Sequence, residues 1–223
     1  MSGELGSVQF VDQSNAGGIG SPSRLKLSFG LFFFDYDLDG RLDLLQANGH
    51  LEEAINEIQP SQHYRQPAQF FWNCGAGGET CFAAVPEEQL GDLARPIVGR
   101  GAAYADIDGD GDLDVVLTQT GGRPLLLRND QQSGQHWLRV ALVGGAANRD
   151  AIGAEVELRA GELVQRRRVM PTRSYLSQVE LPVTFGLAGA ARVDSLRVRW
   201  PGGSFESVPV TEVDTTLVVK QPD

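Results

Sequence analysis

The chain has 223 residues, 41% of them hydrophobic, and a formal net charge of −10 from 19 basic and 29 acidic side chains. That apolar content supplies a core and excludes wholesale disorder, and the length admits one large domain or two ordinary ones. An acidic surface repels nucleic-acid phosphates and anionic lipid and attracts cations, so no nucleic-acid partner is expected. Glycine, at 27 residues, well exceeds the usual ~7% and points to a turn-rich, all-β chain. The charge is lopsided: residues 1–136 hold 8 basic and 19 acidic residues, whereas residues 137–223 hold 11 and 10.

Ser2-Gly3-Glu4 follow Met1 with neither a basic nor an apolar signal region. No signal peptide is read, which leaves a cytoplasmic protein or a piece of a longer one. No apolar run approaches the ~20 residues of a membrane span, so membrane insertion is not expected. The first apolar run, Leu31-Phe32-Phe33-Phe34, has the length of a strand and leads into Asp35-Tyr36-Asp37-Leu38-Asp39-Gly40-Arg41-Leu42-Asp43. Downstream, Leu51, Ala54, Ile55 and Ile58 fall at helical spacing before Pro60. They predict a short helix that packs on the neighbouring sheet. Phe70-Phe71-Trp72 and Phe82-Ala83-Ala84-Val85 flank a glycine-rich stretch, 75–80, bounded by Cys74 and Cys81. This reads as a hairpin whose cysteines form a disulfide if the protein is exported, or a pair of buried thiols otherwise.

After the strand-like Ala102-Ala103-Tyr104-Ala105 comes Asp106-Ile107-Asp108-Gly109-Asp110-Gly111-Asp112-Leu113-Asp114. Both acidic stretches read D-x-D-x-D-G-x-L-D followed by an apolar pair, an internal repeat. Phe70-Phe71-Trp72-Asn73 also loosely matches Leu125-Leu126-Leu127-Arg128-Asn129. Carboxylates at positions 1, 3 and 5 of a tight loop converge on one point, glycine at position 6 makes the turn, and position 7 offers its carbonyl. Position 9 closes an oxygen shell of the kind calcium takes, with roughly six to eight ligands. The expected ligands are Asp35, Asp37, Asp39, the Arg41 carbonyl and Asp43, and in the second loop Asp106, Asp108, Asp110, the Asp112 carbonyl and Asp114. Position 12 is Gln46 or Leu117 rather than glutamate. The β-branched flank Leu113–Thr118 is strand chemistry, so the loops join strands rather than the helices of an EF-hand.

From His136 onward strand-like runs recur between turns: Trp137–Val143, Ala154–Arg159, Leu163–Met170, Val183–Phe185, Ser195–Trp200, Phe205–Val210 and Thr215–Val219. Their spacing predicts a small β-sandwich. Alternation sends Arg166 and Arg168 to one face and Arg167 to the other. The expected role is a solvated face, with an anionic-glycan contact the sharper alternative. Trp137, Tyr175 and Trp200 are expected in the core, and Asn148-Arg149-Asp150 in a turn held by side-chain hydrogen bonds.

The two loops, with Ser28-Phe29-Gly30 before the first, resemble FG-GAP/VCBS repeats, the calcium-loop blades of integrin-α-type β-propellers. Asn48-Gly49-His50 to Tyr64-Arg65-Gln66-Pro67 resembles the cartilage acidic protein family and its bacterial relatives, in which such repeats precede an ASPIC/UnbV module. The second part resembles that module in His136-Trp137-Leu138, Asn148–Ala154, Ser174–Gln178, Phe185-Gly186-Leu187 and Val198–Gly203. It departs from the family at Ala151 and at Pro171-Thr172-Arg173. The resemblance implies an all-β chain with a partial β-propeller over 1–135 and an ASPIC/UnbV β-sandwich over 136–223. It also implies two calcium ions and an extracellular or cell-surface setting. Val8-Gln9-Phe10-Val11-Asp12 then reads as the end of a preceding blade, and the missing N-terminal blades of a longer chain become a possible partner. No nucleophile elbow, P-loop, dinucleotide fingerprint or paired-histidine metal motif is present, so no enzyme is expected. The expected function is a calcium-binding interaction or adhesion module for an unknown protein or glycan. The alternative is a carbohydrate-binding or polysaccharide-acting enzyme on the same scaffold.

Overall fold

The computed structural model describes residues 9–75, 81–203 and 205–222. The chain is all-β, with helix confined to single turns. Ser28–Phe34 (β1), Asp43–Asn48 (β2), Gln69–Asn73 (β3) and Phe82–Ala84 (β4) make an antiparallel meander in that order. Gly99–Ala105 (β5), Asp114–Gln119 (β6) and Leu125–Leu127 (β7) make a second, three-stranded one. Each acidic stretch is the connection between the first two strands of its sheet.

Alternation along β1 decides which side chains meet. Phe32 and Phe34 point inward and are buried, while Leu31 and Phe33 point outward. Phe32 and Phe34, with Leu45, Ala47 and Phe70, join Ala102, Leu113, Val115 and Leu117 of the second sheet in one core. The sheets pack side by side because β1 and β5 approach closely at Gly30, where a Cβ would stand 2.6 Å from that of Ala102. On the other face of the first sheet, Leu44, Phe71 and Phe82 form a smaller cluster under Ile19. No closed ring of sheets is formed by the described residues.

The remainder comprises His136–Val143 (β8), Glu155–Ala160 (β9), Leu163–Arg168 (β10), Thr172–Ser174 (β11), Ser177–Gln178 (β12), Val183–Ala188 (β13), Ser195–Arg199 (β14), Phe205–Val208 (β15) and Thr215–Lys220 (β16). One sheet has the order β10-β9-β14-β15 and another β13-β8-β16, with β8 and β16 parallel. Both contribute to a second core built on Leu138, Val156, Leu158, Phe185, Leu196 and Val198. Across β9, Glu157 lies between Arg166 and Arg197, and Glu155 between Arg168 and Arg199. The basic run is therefore largely neutralised by its cross-strand partners, which weighs against an anionic-glycan patch there.

Several expectations need correction. The helix after β2 is a single turn, Ile55–Ile58, and of its apolar stripe only Ile55 is buried; Leu51 is 69% and Ile58 73% exposed. Periodicity identified a helical segment, but so short a turn packs one side chain rather than a face. Tyr175 is not a core aromatic. It is 45% exposed and stands edge-on to Phe29 of β1. Trp200 is buried and Trp137 half-buried. Residues 9–12 form no strand, and Val8 lies outside the described residues. Asn148 does hold its turn, accepting the Ile152 N–H at 3.0 Å and donating to the Ile152 carbonyl at 2.9 Å. The strands flanking the expected hairpin pair as β3 and β4. Cys74 and Cys81 are disulfide-bonded with Cα atoms 5.4 Å apart; the turn residues 76–80 lie outside the described residues.

Candidate metal centres

The two loops share most of their hydrogen bonds, differing in one N–H group that reaches position 1. At position 1, Asp35 accepts the Asp39 and Gly40 N–H groups at 3.1 and 2.9 Å. Asp106 accepts those of Gly109 and Gly111 at 2.7 and 3.2 Å. At position 5, Asp39 accepts the Arg41 N–H and Asp110 the Asp112 N–H. At position 9, Asp43 accepts the Tyr36 N–H at 3.0 Å and Asp114 the Ile107 N–H at 2.9 Å. Wrapping the chain this tightly needs left-handed backbone at positions 4 and 6. Gly40, Gly109 and Gly111 supply three of those four places, and the fourth is held by Leu38 at φ 61°. Burial of the Leu38 side chain and donation of the Ala188 N–H to its carbonyl at 2.9 Å hold that strained residue in place.

Carboxylate oxygens of Asp35, Asp37 and Asp39 lie within 4.8 Å of one another, as do those of Asp106, Asp108 and Asp114. Asp43, whose carboxylate accepts the Tyr36 and Asn73 N–H groups, is not among the first group. Asp110 is exposed, and the buried Asp112 carboxylate accepts Gln131 Nε2 at 2.7 Å. Arg41 turns its side chain back onto Asp39. Burial pushes the Asp35 and Asp43 carboxyls up to about 7, and Asp112 up to about 6. Asp39 and Asp110 are also raised, again chiefly by burial, with neighbouring aspartates adding to the rise. In the first loop Asp37 Oδ2 accepts Trp72 Nε1 at 3.0 Å, but Asp37 Oδ1 is buried with no hydrogen-bond partner. An orphaned carboxylate oxygen among carboxylates that resist ionisation is what a metal-ion site presents without its ion. The donor set, all oxygen, suits a hard divalent cation.

Sequence reasoning missed the residues that brace these loops. Asn73 and Asn129 occupy the same place in the two repeats. Their N–H groups donate to Asp43 at 2.8 Å and Asp114 at 2.9 Å, fixing each position-9 carboxylate. The loose match of Phe70–Asn73 to Leu125–Asn129 was the available signal, since both end on asparagine. The second half of the chain also reaches both loops. Gly186 lies flat against the first loop, and Trp137 covers Gly111 of the second. Arg139 of β8 pairs through Nη1 with Asp106 and through Nη2 with Glu180. Nearby, a cleft of about 550 Å³ opens between the sheets, with Trp72, Tyr36, Asp37 and Arg128 among its walls.

Residues 144–223 match the protein family described as ASPIC and UnbV, so the second part of the chain carries an ASPIC/UnbV module. The chain is also similar to cartilage acidic protein 1 of Xenopus tropicalis, 33% identical over 145 residues that cover 62% of this chain and 22% of that protein. The same-named proteins of Mus musculus and Homo sapiens are each 33% identical over 147 residues, with the same coverage. The chain therefore spans about a fifth of the length of the curated relatives it matches.

Proposed function

We propose that this chain is a calcium-binding, non-catalytic interaction module of an extracellular protein. Two FG-GAP/VCBS-type blades of a partial β-propeller carry one ion each beside the ASPIC/UnbV module. The observation that carries the reading is the repeated loop geometry with its orphaned Asp37 oxygen. Asp35, Asp37, Asp39, Asp43 and the Arg41 carbonyl would hold the first ion. Asp106, Asp108, Asp110, Asp114 and the Asp112 carbonyl would hold the second. Calcium is favoured over magnesium because the shell is rich in carboxylates and built on flexible loop geometry. Its role is to replace mutual repulsion with ligation and so stiffen the loops against their neighbours. The Cys74–Cys81 disulfide and the resemblance to cartilage acidic protein 1 support an extracellular setting.

The experiment is a thermal melt with excess calcium and with chelator. Selective binding to the folded state must raise Tm. At 100-fold over Kd each site contributes about 2.7 kcal/mol, several degrees for a chain of this size. Identical melts would overturn the calcium reading. The partner is a protein or a glycan. A second reading, carbohydrate binding or polysaccharide cleavage, is favoured by the cleft, where Trp72 and Tyr36 offer partly exposed rings for sugar stacking. A glycan array with a parallel turnover assay separates them: binding alone supports the module, and product formation supports the enzyme.

A further inference from the structure

The two acidic loops share most of their backbone hydrogen bonds but differ in what faces them. The difference lies in the ASPIC/UnbV half of the chain. In the second loop, the position-1 carboxylate of Asp106 is paired with the Arg139 guanidinium. The Asp106 side chain is 1% exposed and that of Arg139 only 9%. Glu180 holds the other arm of the same guanidinium from the opposite side. Arg139 lies within β8, between Leu138 and Val140 of the core, and its burial and its two carboxylate partners hold it on Asp106.

The first loop has no cation ion-paired to its position-1 carboxylate. Arg167 faces Asp35 from the same half of the chain and its charge acts on that carboxylate, but no ion pair joins the two. Its donors go instead to Gln165 Oε1 and the Arg166 carbonyl. Arg41 does reach Asp39, and its Nε donates to the Asn73 carbonyl, but its side chain is 39% exposed, so water screens its charge, as it does that of Arg128 beside Asp108 in the second loop. The orphaned oxygen, Asp37 Oδ1, is also in the first loop; no oxygen of the second loop is left in that state among the described residues.

We infer that the two loops are unequal metal sites: the first is the primary calcium site, and Arg139 serves the second as a built-in counter-cation that weakens it. This rests on the calcium reading above. A fixed positive charge on a ligand carboxylate repels a divalent ion through a medium less polarisable than water, and the effect is large at these separations. By linkage, calcium in the second loop weakens the hold of Asp106 on Arg139. Occupancy of that site and seating of the ASPIC/UnbV module are therefore coupled in opposition. Arg139 thus acts as a positioning residue that grades the site rather than as a ligand.

Calorimetric titration of the full chain with calcium tests this. The expected isotherm has two classes of site. Asp37→Asn removes the tighter class and Asp108→Asn the weaker. The double variant Arg139→Gln/Glu180→Gln removes the cation and its buried partner charge together. It should tighten the weaker site by at least about tenfold and leave the tighter one unchanged, while Arg139→Lys should stay close to wild type. Two equal sites, or a weaker site that the double variant leaves unchanged or loosens further, would overturn the inference while leaving the calcium reading intact. No binding heat, together with no shift in Tm, would overturn both. If circular dichroism shows that the double variant has lost its fold, the wild-type inequality and its assignment by the two asparagine variants decide the matter.

Discussion

Replacing Gly186 by alanine tests whether the ASPIC/UnbV module bears directly on the first acidic loop. An added Cβ would stand 2.3 Å from Asp35 Oδ2, 2.3 Å from the Leu38 carbonyl carbon and 2.4 Å from its oxygen. Contacts this short need a displacement of about 1 Å, and the atoms in the way are mainly loop backbone, which cannot rotate aside. Forcing an extra carbon into such packing costs about 1–3 kcal/mol. The same displacement strains the Ala188 N–H bond to the Leu38 carbonyl and the 2.6 Å bond from Gln165 Nε2 to the Gly186 carbonyl, each worth about 1 kcal/mol. A loss of about 3 kcal/mol corresponds to a fall in Tm of roughly 6–12 °C for a chain of this length. Scanning calorimetry measures it, with Gly189→Ala as the control, since nothing lies within 4 Å of a Cβ at that position. A Gly186→Ala protein that melts within a degree of wild type would refute the claim that this glycine is required by the contact.

The metal-free protein should be most stable near about pH 5. Asp35 and Asp43, pushed up to about 7, hold protons in the folded state that the unfolded chain has already released. Stability in chelator therefore falls as pH rises from about 5 to 7.5, and excess calcium should reverse that trend, because ligation replaces the protons. On the acid side, the arginines beside Glu155 and Glu157 hold those carboxyls below the usual range, so their stabilisation is lost as pH drops through it. Urea melts across the range would check the profile; a metal-free protein more stable at pH 7.5 than at pH 5 would contradict it. Cys74→Ser/Cys81→Ser opens a short loop and should cost about 2 kcal/mol in the same melts, with loop-bound calcium unaffected because neither sulfur is a ligand.

The acidic loops were legible because their geometry is written in adjacent residues. Carboxylates two apart with a glycine at position 6 can fold in few ways, and the β-branched flanks excluded helices. The strands of the second half were equally plain, their boundaries set by turn residues such as Pro201-Gly202-Gly203. What the sequence hid was long-range. Arg139 reads as one polar position in an apolar strand, and nothing local says that Asp106 and Glu180 close around it. Asn73 and Asn129 were visible as a repeat, but they brace the loops through backbone N–H groups, which no side-chain pattern encodes. Leu38 occupies a left-handed position that its partner loop gives to glycine, a substitution tolerated only because the second half of the chain covers it. Leu51 and Ile58 show the converse, a helical spacing with too little helix to bury it.

The parallel pairing of β16 with β8 bears on how the chain comes off the ribosome. β8 is made soon after the second acidic loop, whereas β16 is the last strand described. Until it arrives, β8 has an open edge and the sheet that anchors Arg139 is incomplete. The two N-terminal sheets rest on nearer pairings and can close early, whereas a contact spanning the whole module closes late. The contact between Arg139 and the second loop therefore gains its full support only once the last strand described is in place.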